Sequence, residues 1–142
     1  MLHAKLLEAT GSPNANDLLH RFYTTEFARP KIASFSRLVD ECARQGDEVA
    51  RRLLENSAQA LAEITGAVRG QLFEPGEAVF VAYIGGVFRS AFLLERFRTL
   101  VEAVEGCRVG PPIYGPATGA LIDALASAGL RPKLSNVPAR EK

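Results

Sequence analysis

The chain has 142 residues, of which 47% are apolar and 23% charged, a balance typical of one globular domain or of part of a larger one. A formal net charge of +1 argues against a surface that binds nucleic acid or an anionic membrane. No apolar run approaches the ~20 residues that span a bilayer. The polar start MLHAKLLEAT does not match a signal peptide, so we expect a cytoplasmic protein.

The first half of the sequence predicts four helices. A weak one covers residues 2–9, and a second covers 14–27, where Asn14 or Asn16 is placed to cap it. The apolar face of this second helix consists of Leu18, Leu19, Phe22 and Tyr23. Pro30 opens the third helix, since a first-turn proline loses no hydrogen bond. Its apolar stripe consists of Ile32, Phe35, Leu38, Val39 and Cys42.

The fourth predicted helix is longer. It follows Gly46, is capped by Asp47 and ends near Gly70 and the turn FEPGE. Its predicted buried stripe consists of Val49, Leu53, Ala60, Leu61, Ile64 and Val68.

The hydrophobic period then changes. AVFVAYI, residues 78–84, is apolar on both alternating faces, which predicts a central parallel strand that is covered on both sides. Helical spacing returns from Ser90 to about Val104, and CRV at 107–109 predicts a second short strand. A last helix starts near Pro116 and ends before Gly129.

This βαβα order predicts parallel α/β winding. Two strands are few for a sheet, so the 78–84 strand is expected to have an unpaired edge and to belong to a larger sheet.

The glycine pair Gly85–Gly86 between strand and helix is the best candidate for a binding site. Ligands of open parallel sheets lie beyond the carboxyl ends of the strands, and bare main chain lets a ligand approach closely. The alternative is a tight turn that needs positive φ and nothing more. Gly119 inside the last helix indicates close packing or a nearby ligand.

Other chemistry has little support in the sequence. His3 and His20 stand alone, and solvated positions explain them better than metal binding. Cys42 and Cys107 form no C-x-x-C and are expected to be reduced, partly buried thiols. There is no G-x-G-x-x-G, Walker A or G-x-S-x-G motif.

Three segments together resemble a known family. They are ECARQGDEVARRLLENSAQALAEI, VFVAYIGGVFRSAFLLERF and PPIYGPATGALIDAL. The first is similar to an A-x-x-G-D-x-x-A-x-x-[IL]-L motif, whose places are taken by Ala43, Gly46, Asp47, Ala50 and Leu54. Their order and spacing, from about residue 30 to 126, resemble the C-terminal part of the BadF/BadG/BcrA/BcrD ATPase family. That family includes N-acetylglucosamine kinases and belongs to the actin-like, sugar-kinase and Hsp70 superfamily.

The resemblance implies an α/β fold, a helix-rich partial ribonuclease H-like (actin-like ATPase) lobe with few parallel strands. The lobe that it implies covers 30–130. The first predicted helices form an N-terminal segment at 1–29, and the polar residues 131–142 predict a flexible tail. The resemblance also implies a nucleotide-binding set next to adenosine, which consists of Gly85, Gly86, Val87, Phe88, Ser90 and Gly119.

The resemblance also shows what these residues lack. The family's D-x-G-x-[ST] phosphate loop is absent, so we expect neither a catalytic residue nor kinase activity from the chain alone. ATP, Mg²⁺ and an amino sugar are implied for the complete enzyme, with a missing N-terminal lobe or a homo-oligomer as partner. Cys42 and Cys107 do not match the iron–sulfur site of the dehydratase-activator branch. The alternative function is a non-catalytic, α-rich interaction or regulatory module that has lost nucleotide binding.

Overall fold

The computed structural model describes residues 1–24 and 27–131 as an α/β arrangement rich in helix. A short 3₁₀ helix, Gly86–Arg89, joins the first strand to the fifth α-helix. The other elements, in chain order, are α1 Leu2–Thr10, α2 Ala15–Tyr23, α3 Arg29–Arg44, α4 Glu48–Leu72, β1 Val79–Ala82, α5 Ala91–Glu102, β2 Cys107–Gly110 and α6 Pro116–Ser127.

The two strands are parallel, as predicted, with Val79 opposite Cys107 and Ala82 opposite Gly110. Helix α5 connects them and packs against β2 on one side and against α4 on the other. Helix α3 packs on α4, and α1 packs on α3. One face of α5, with Leu93, Phe97 and Val101 at spacings of four, is therefore buried between neighbouring elements.

Most predicted helix starts are confirmed by their caps. Asn14 accepts a hydrogen bond from the Asp17 N–H at 2.9 Å. Ser90 caps α5 by accepting one from the Leu93 N–H at 3.3 Å. A proline occupies the first turn of both α3 and α6.

Asp47 caps α4 and also holds the first residues of the chain. Its Oδ1 accepts the Ala50 N–H at 2.9 Å, and its Oδ2 accepts the Leu2 N–H at 2.8 Å. The Met1 ammonium group lies 3.1 Å from the same Oδ2. These donors favour the carboxylate, with the Leu2 N–H first among them, and they lower the pKa of Asp47 from 3.8 to about 2.

The predicted buried stripe of α4 is wrong except at Leu61, which packs against the core. Val49, Leu53, Ile64 and Val68 are exposed, and the buried positions are instead Ala50, Leu54 and Ala58. Helix α4 has two apolar faces, and the one with two alanines packs against its neighbours because small side chains let helices approach closely.

The prediction that the first strand is covered on both sides is also wrong. Val79, Val81 and Tyr83 pack against the core, but Phe80 and Ile84 on the other face are 56% and 52% exposed. The strand is apolar on both faces, yet no described helix covers the second face.

The free edges of the two strands differ. The Val109 N–H, which points away from β1, donates to Glu102 Oε1 at 2.9 Å, so α5 closes the edge of β2. On β1, the Val79 N–H donates to the Gly106 carbonyl at 2.9 Å. Parallel pairing turns the alternate amides, those of Phe80 and Ala82, away from β2. The outer edge of β1 is therefore open within the described residues.

The remaining predictions concern the two cysteines, the burial of α2 and α6, and the ends of predicted segments. Both cysteines are free and buried, as expected. No residue of α2 or α6 is buried, although both carry apolar side chains. The predicted second helix extends into residues 25–26, which lie outside the described residues, as does the predicted flexible tail beyond Arg131.

Candidate functional site

A cleft of about 840 Å³ opens beside the glycine turn that follows β1. The turn contributes Gly86, Val87 and Ser90 to its lining, and one side of α3 contributes most of the other residues. Leu54 of α4 also lines it. This volume lies within the range of small-molecule pockets, and the place, beyond the carboxyl end of a parallel strand, is where such folds bind ligands.

Gly85 is needed by the backbone. Its φ of 118° and ψ of 166° lie in a region that is essentially restricted to glycine. No atom lies within 4 Å of where a Cβ would be, so crowding is not the reason for glycine here. The tight-turn explanation therefore accounts fully for Gly85.

Gly86 is different, because nothing in the described protein requires it to be glycine. Its φ is not positive, and a Cβ built on it would meet no atom within 4 Å. Yet Gly86 lines the cleft, so a side chain there would project into space that the protein leaves open. A glycine that neither the backbone nor a neighbour demands is what a surface needs when a ligand approaches the main chain closely.

The predicted site residues that follow Gly86 divide between cleft and core. Val87 and Ser90 line the cleft, and Ser90 also fixes the start of α5 as its N-cap. The ring of Phe88 packs between Tyr83 and Phe97, with both centroid distances at 5.3 Å. Phe88 therefore supports the turn from behind. Its predicted contact with a nucleotide stays a prediction.

Gly119 does not line the cleft. It lies in the first half of α6, is exposed, and has open space where its Cβ would be. The structure thus brings Gly86, Val87 and Ser90 together with α3 but leaves Gly119 elsewhere, and its predicted role is untested.

The polar wall of the cleft comes from α3, which the sequence analysis did not place in the site. Arg37, Asp40 and Arg44 line it at helical spacing, and Arg89 joins them from the turn. Arg44 Nε donates to Asp40 Oδ2 at 3.1 Å. The signal that could have found this wall is the polar side of α3, with these groups three and four residues apart, opposite its apolar stripe.

Comparison with known families decides what this chain is. The model of the BadF/BadG/BcrA/BcrD ATPase family matches residues 3–126. The chain belongs to this family. The match extends the resemblance upstream to include α1 and α2. No curated protein matches the chain.

Membership in this ATPase family implies the use of ATP. The cleft combines bare main chain at Gly86 with the three guanidinium groups of Arg37, Arg44 and Arg89, a residue type that binds phosphate.

The divalent metal that accompanies ATP does not find ligands here. In residues 1–24 and 27–131, no three His, Cys, Asp or Glu side chains gather into a metal site. Asp40 is the one carboxylate among the lining residues, and Arg44 already pairs with it. We therefore derive no catalytic step through a metal from these residues.

Across the same ranges, every helix is too short or too polar to span a bilayer.

Proposed function

We propose that this chain is the adenosine-binding part of an ATP-dependent N-acetylglucosamine kinase-like ATPase. Adenosine lies in the cleft, with its base against the main chain of Gly86, while Gly85, which does not line the cleft, shapes the turn. The observation that carries this proposal is Gly86, which lines the cleft without any conformational or steric need to be glycine.

The charges around the cleft support a phosphorylated ligand. Arg37 comes from α3 and Arg89 from the turn, so two elements contribute cations to the lining of the cleft. Exposed guanidinium groups attract phosphates over several ångströms. We assign to them the steering of the phosphate chain and no chemical step.

The phosphoryl transfer itself needs groups that this chain does not carry. Transfer depends on phosphates, metal and acceptor being held in line, and D-x-G-x-[ST] is absent from the sequence. We propose that a second lobe supplies the phosphate loop, the metal site and the amino-sugar site.

We further propose that this second lobe completes a ribonuclease H-like sheet. The open edge of β1 supports this, because a strand added there would pair the free amides and widen the sheet. The exposed side chains of Phe80 and Ile84 would then belong to a broader apolar face that a further layer of the second lobe could cover. β2 does not offer such an edge, since Glu102 closes it.

The test is a pair of measurements on the 142-residue chain. Isothermal titration with ATP and Mg²⁺ should give weak binding, and an assay with N-acetylglucosamine should give no sugar phosphate. Adding a lobe that carries D-x-G-x-[ST] should restore turnover. Sugar phosphorylation by the 142-residue chain alone would refute the proposal that a second lobe supplies the phosphate loop, the metal site and the amino-sugar site. Absence of any nucleotide binding, with or without the lobe, would favour the non-catalytic interaction module.

A further inference from the structure

Among the described residues that line the cleft, Asp40 is the one carboxylate, in the company of three arginines. Its side chain is only 20% exposed, which is little for an acidic residue on a helix surface. Arg44 Nε donates to Oδ2 at 3.1 Å, whereas Oδ1 accepts no hydrogen bond from any described residue. The cleft therefore holds a largely covered carboxylate with one oxygen that has no protein donor.

An ion pair between residues four apart is common on exposed helices and does not by itself indicate a binding site. Glu41, the next residue of α3, is such an ordinary case. Its side chain is 49% exposed, it does not line the cleft, and it accepts hydrogen bonds from Lys5 and Gln45. Asp40 differs from Glu41 because it is more covered and because it lines the cleft.

The surroundings of Asp40 decide which part of a nucleotide it suits. A carboxylate repels phosphate and accepts hydrogen bonds only, so it needs donors on the ligand. Adenosine offers the N6 amine of its base and the hydroxyls of its ribose. Arg37, to which we assign steering of the phosphates, is a surface neighbour of Asp40 because it lies three residues earlier on the same helix. The ribose carries the phosphates, whereas the N6 amine is at the far end of the base, so the ribose hydroxyls are the donors that match Asp40.

We propose, on the basis of the proposed function, that Asp40 Oδ1 accepts a hydrogen bond from the ribose diol and makes the cleft prefer ribonucleotides to 2′-deoxyribonucleotides. Hydrogen bonds to an ionised acceptor are stronger than those between neutral groups. Acidic residues bind ribose hydroxyls in the same way in dinucleotide-binding folds. Arg44 is a positioning residue: it holds Oδ2 and restricts the carboxylate, so less side-chain freedom is lost when the ribose binds.

Parallel titrations of the 142-residue chain with ATP and with 2′-deoxy-ATP test the proposal, with the amide shifts of the cleft residues as the signal. The wild type should bind 2′-deoxy-ATP about tenfold more weakly, because a hydrogen bond to a charged group is lost. In Asp40→Ala this difference should shrink to about twofold or less. Alanine favours the helix, so α3 should be retained.

The ratio of the two dissociation constants is the readout, because the two nucleotides carry the same phosphates and a general change in folding or charge affects both alike. Glu41→Gln is the matched control: it removes the same charge from the neighbouring position outside the cleft, and the tenfold ratio should persist. Adenosine and 2′-deoxyadenosine should differ by the same factor, since the proposed contact is to the sugar.

Equal affinity of the wild type for ATP and 2′-deoxy-ATP would overturn this assignment and leave the cleft as a nucleotide site. A ratio that Asp40→Ala leaves intact, or that Glu41→Gln reduces equally, would overturn it as well. Absence of binding by either nucleotide would overturn the proposed function and this assignment together, so the two failures are distinguishable.

Discussion

The ring of Phe80 on β1 covers Gly110 on β2. A Cβ at Gly110 would come within 2.7 Å of Phe80 Cζ, so the ring occupies the space that the missing side chain leaves. Phe80 is otherwise exposed on the face of the sheet that no described helix covers. The Phe80 ring thus covers part of this face of the sheet. The rest of its apolar surface, which includes Ile84, is exposed.

The glycines at the two ends of β2 should respond differently to alanine. Gly106 has a φ of 82°, and its Cβ would collide with the main chain of Glu77, which cannot rotate away. We expect Gly106→Ala to lower the free energy of unfolding by about 2 kcal/mol or more. Gly110→Ala meets only the end of the Phe80 side chain, so we expect a loss below about 1 kcal/mol.

Urea unfolding of both variants, followed by circular dichroism, measures this difference. Equal losses would show that the Glu77 and Gly106 turns do not meet as described.

Amide hydrogen exchange should distinguish the two sheet edges. Val79 donates to a carbonyl of the neighbouring turn and should exchange slowly, whereas Phe80 and Ala82 face away from β2 and should exchange quickly. Addition of a lobe that pairs with β1 should slow the hydrogen exchange of the Phe80 and Ala82 amides. Slow exchange at these two amides in a dilute monomer would contradict an open β1 edge.

Glu102 provides the matched control for that measurement. Its carboxylate accepts the Val109 N–H, so Val109 should exchange slowly although it lies on the outer side of β2. In Glu102→Ala the Val109 amide should exchange faster, while Val79 should be unchanged. An unaltered Val109 would mean that something other than Glu102 closes this edge.

Asp47 should make stability depend on acid pH. Its pKa is lowered to about 2 in the folded protein, first by the Leu2 N–H and then by the Ala50 N–H. Folding therefore favours the carboxylate. The stabilisation is fully present above the ordinary pKa of 3.8 and is lost as the pH falls from about 4 towards about 2.

Denaturant titrations of the wild type and of Asp47→Asn at several pH values measure this contribution. The wild type should lose more stability than the variant over that window. Parallel pH profiles would contradict the role of the Asp47 charge.

Local sequence signals predicted most of the fold. The caps at Asn14 and Asp47, the first-turn prolines and the positive-φ glycines act over a few residues, so they can be read without the tertiary structure. Parallel pairing of the strands also followed, because an intervening helix requires it.

What failed is the choice between apolar faces. Helix α4 carries one face with Val49 and Ile64 and another with Ala50 and Ala58, and hydrophobicity favours the first. In the structure the face with Ala50 and Ala58 is the buried one, because its small side chains let the neighbouring helices pack closely against α4. The polar wall of the cleft was missed for a similar reason: Arg37 and Asp40 resemble a solvated face until the fold brings them to the same cleft as the glycine turn.

Gly86→Ala should separate ligand binding from folding. The backbone and the neighbours of Gly86 accept a Cβ, so stability should be unchanged or slightly higher. Because the methyl group enters the cleft, ATP binding should weaken by about tenfold. Gly66→Ala, an exposed glycine of α4 with equally open surroundings, should leave binding unchanged. Unaltered ATP affinity in Gly86→Ala would remove the observation on which the proposed function rests.

Backbone amide chemical shifts of the ¹⁵N-labelled chain, recorded as ATP is added to millimolar concentration, give the most direct test. The proposed function predicts that the signals of Gly86, Val87, Ser90 and Arg37 move together and saturate, and that adenosine alone reproduces the shifts at the glycine turn. Shifts that are absent, or that gather away from this cleft, would contradict it.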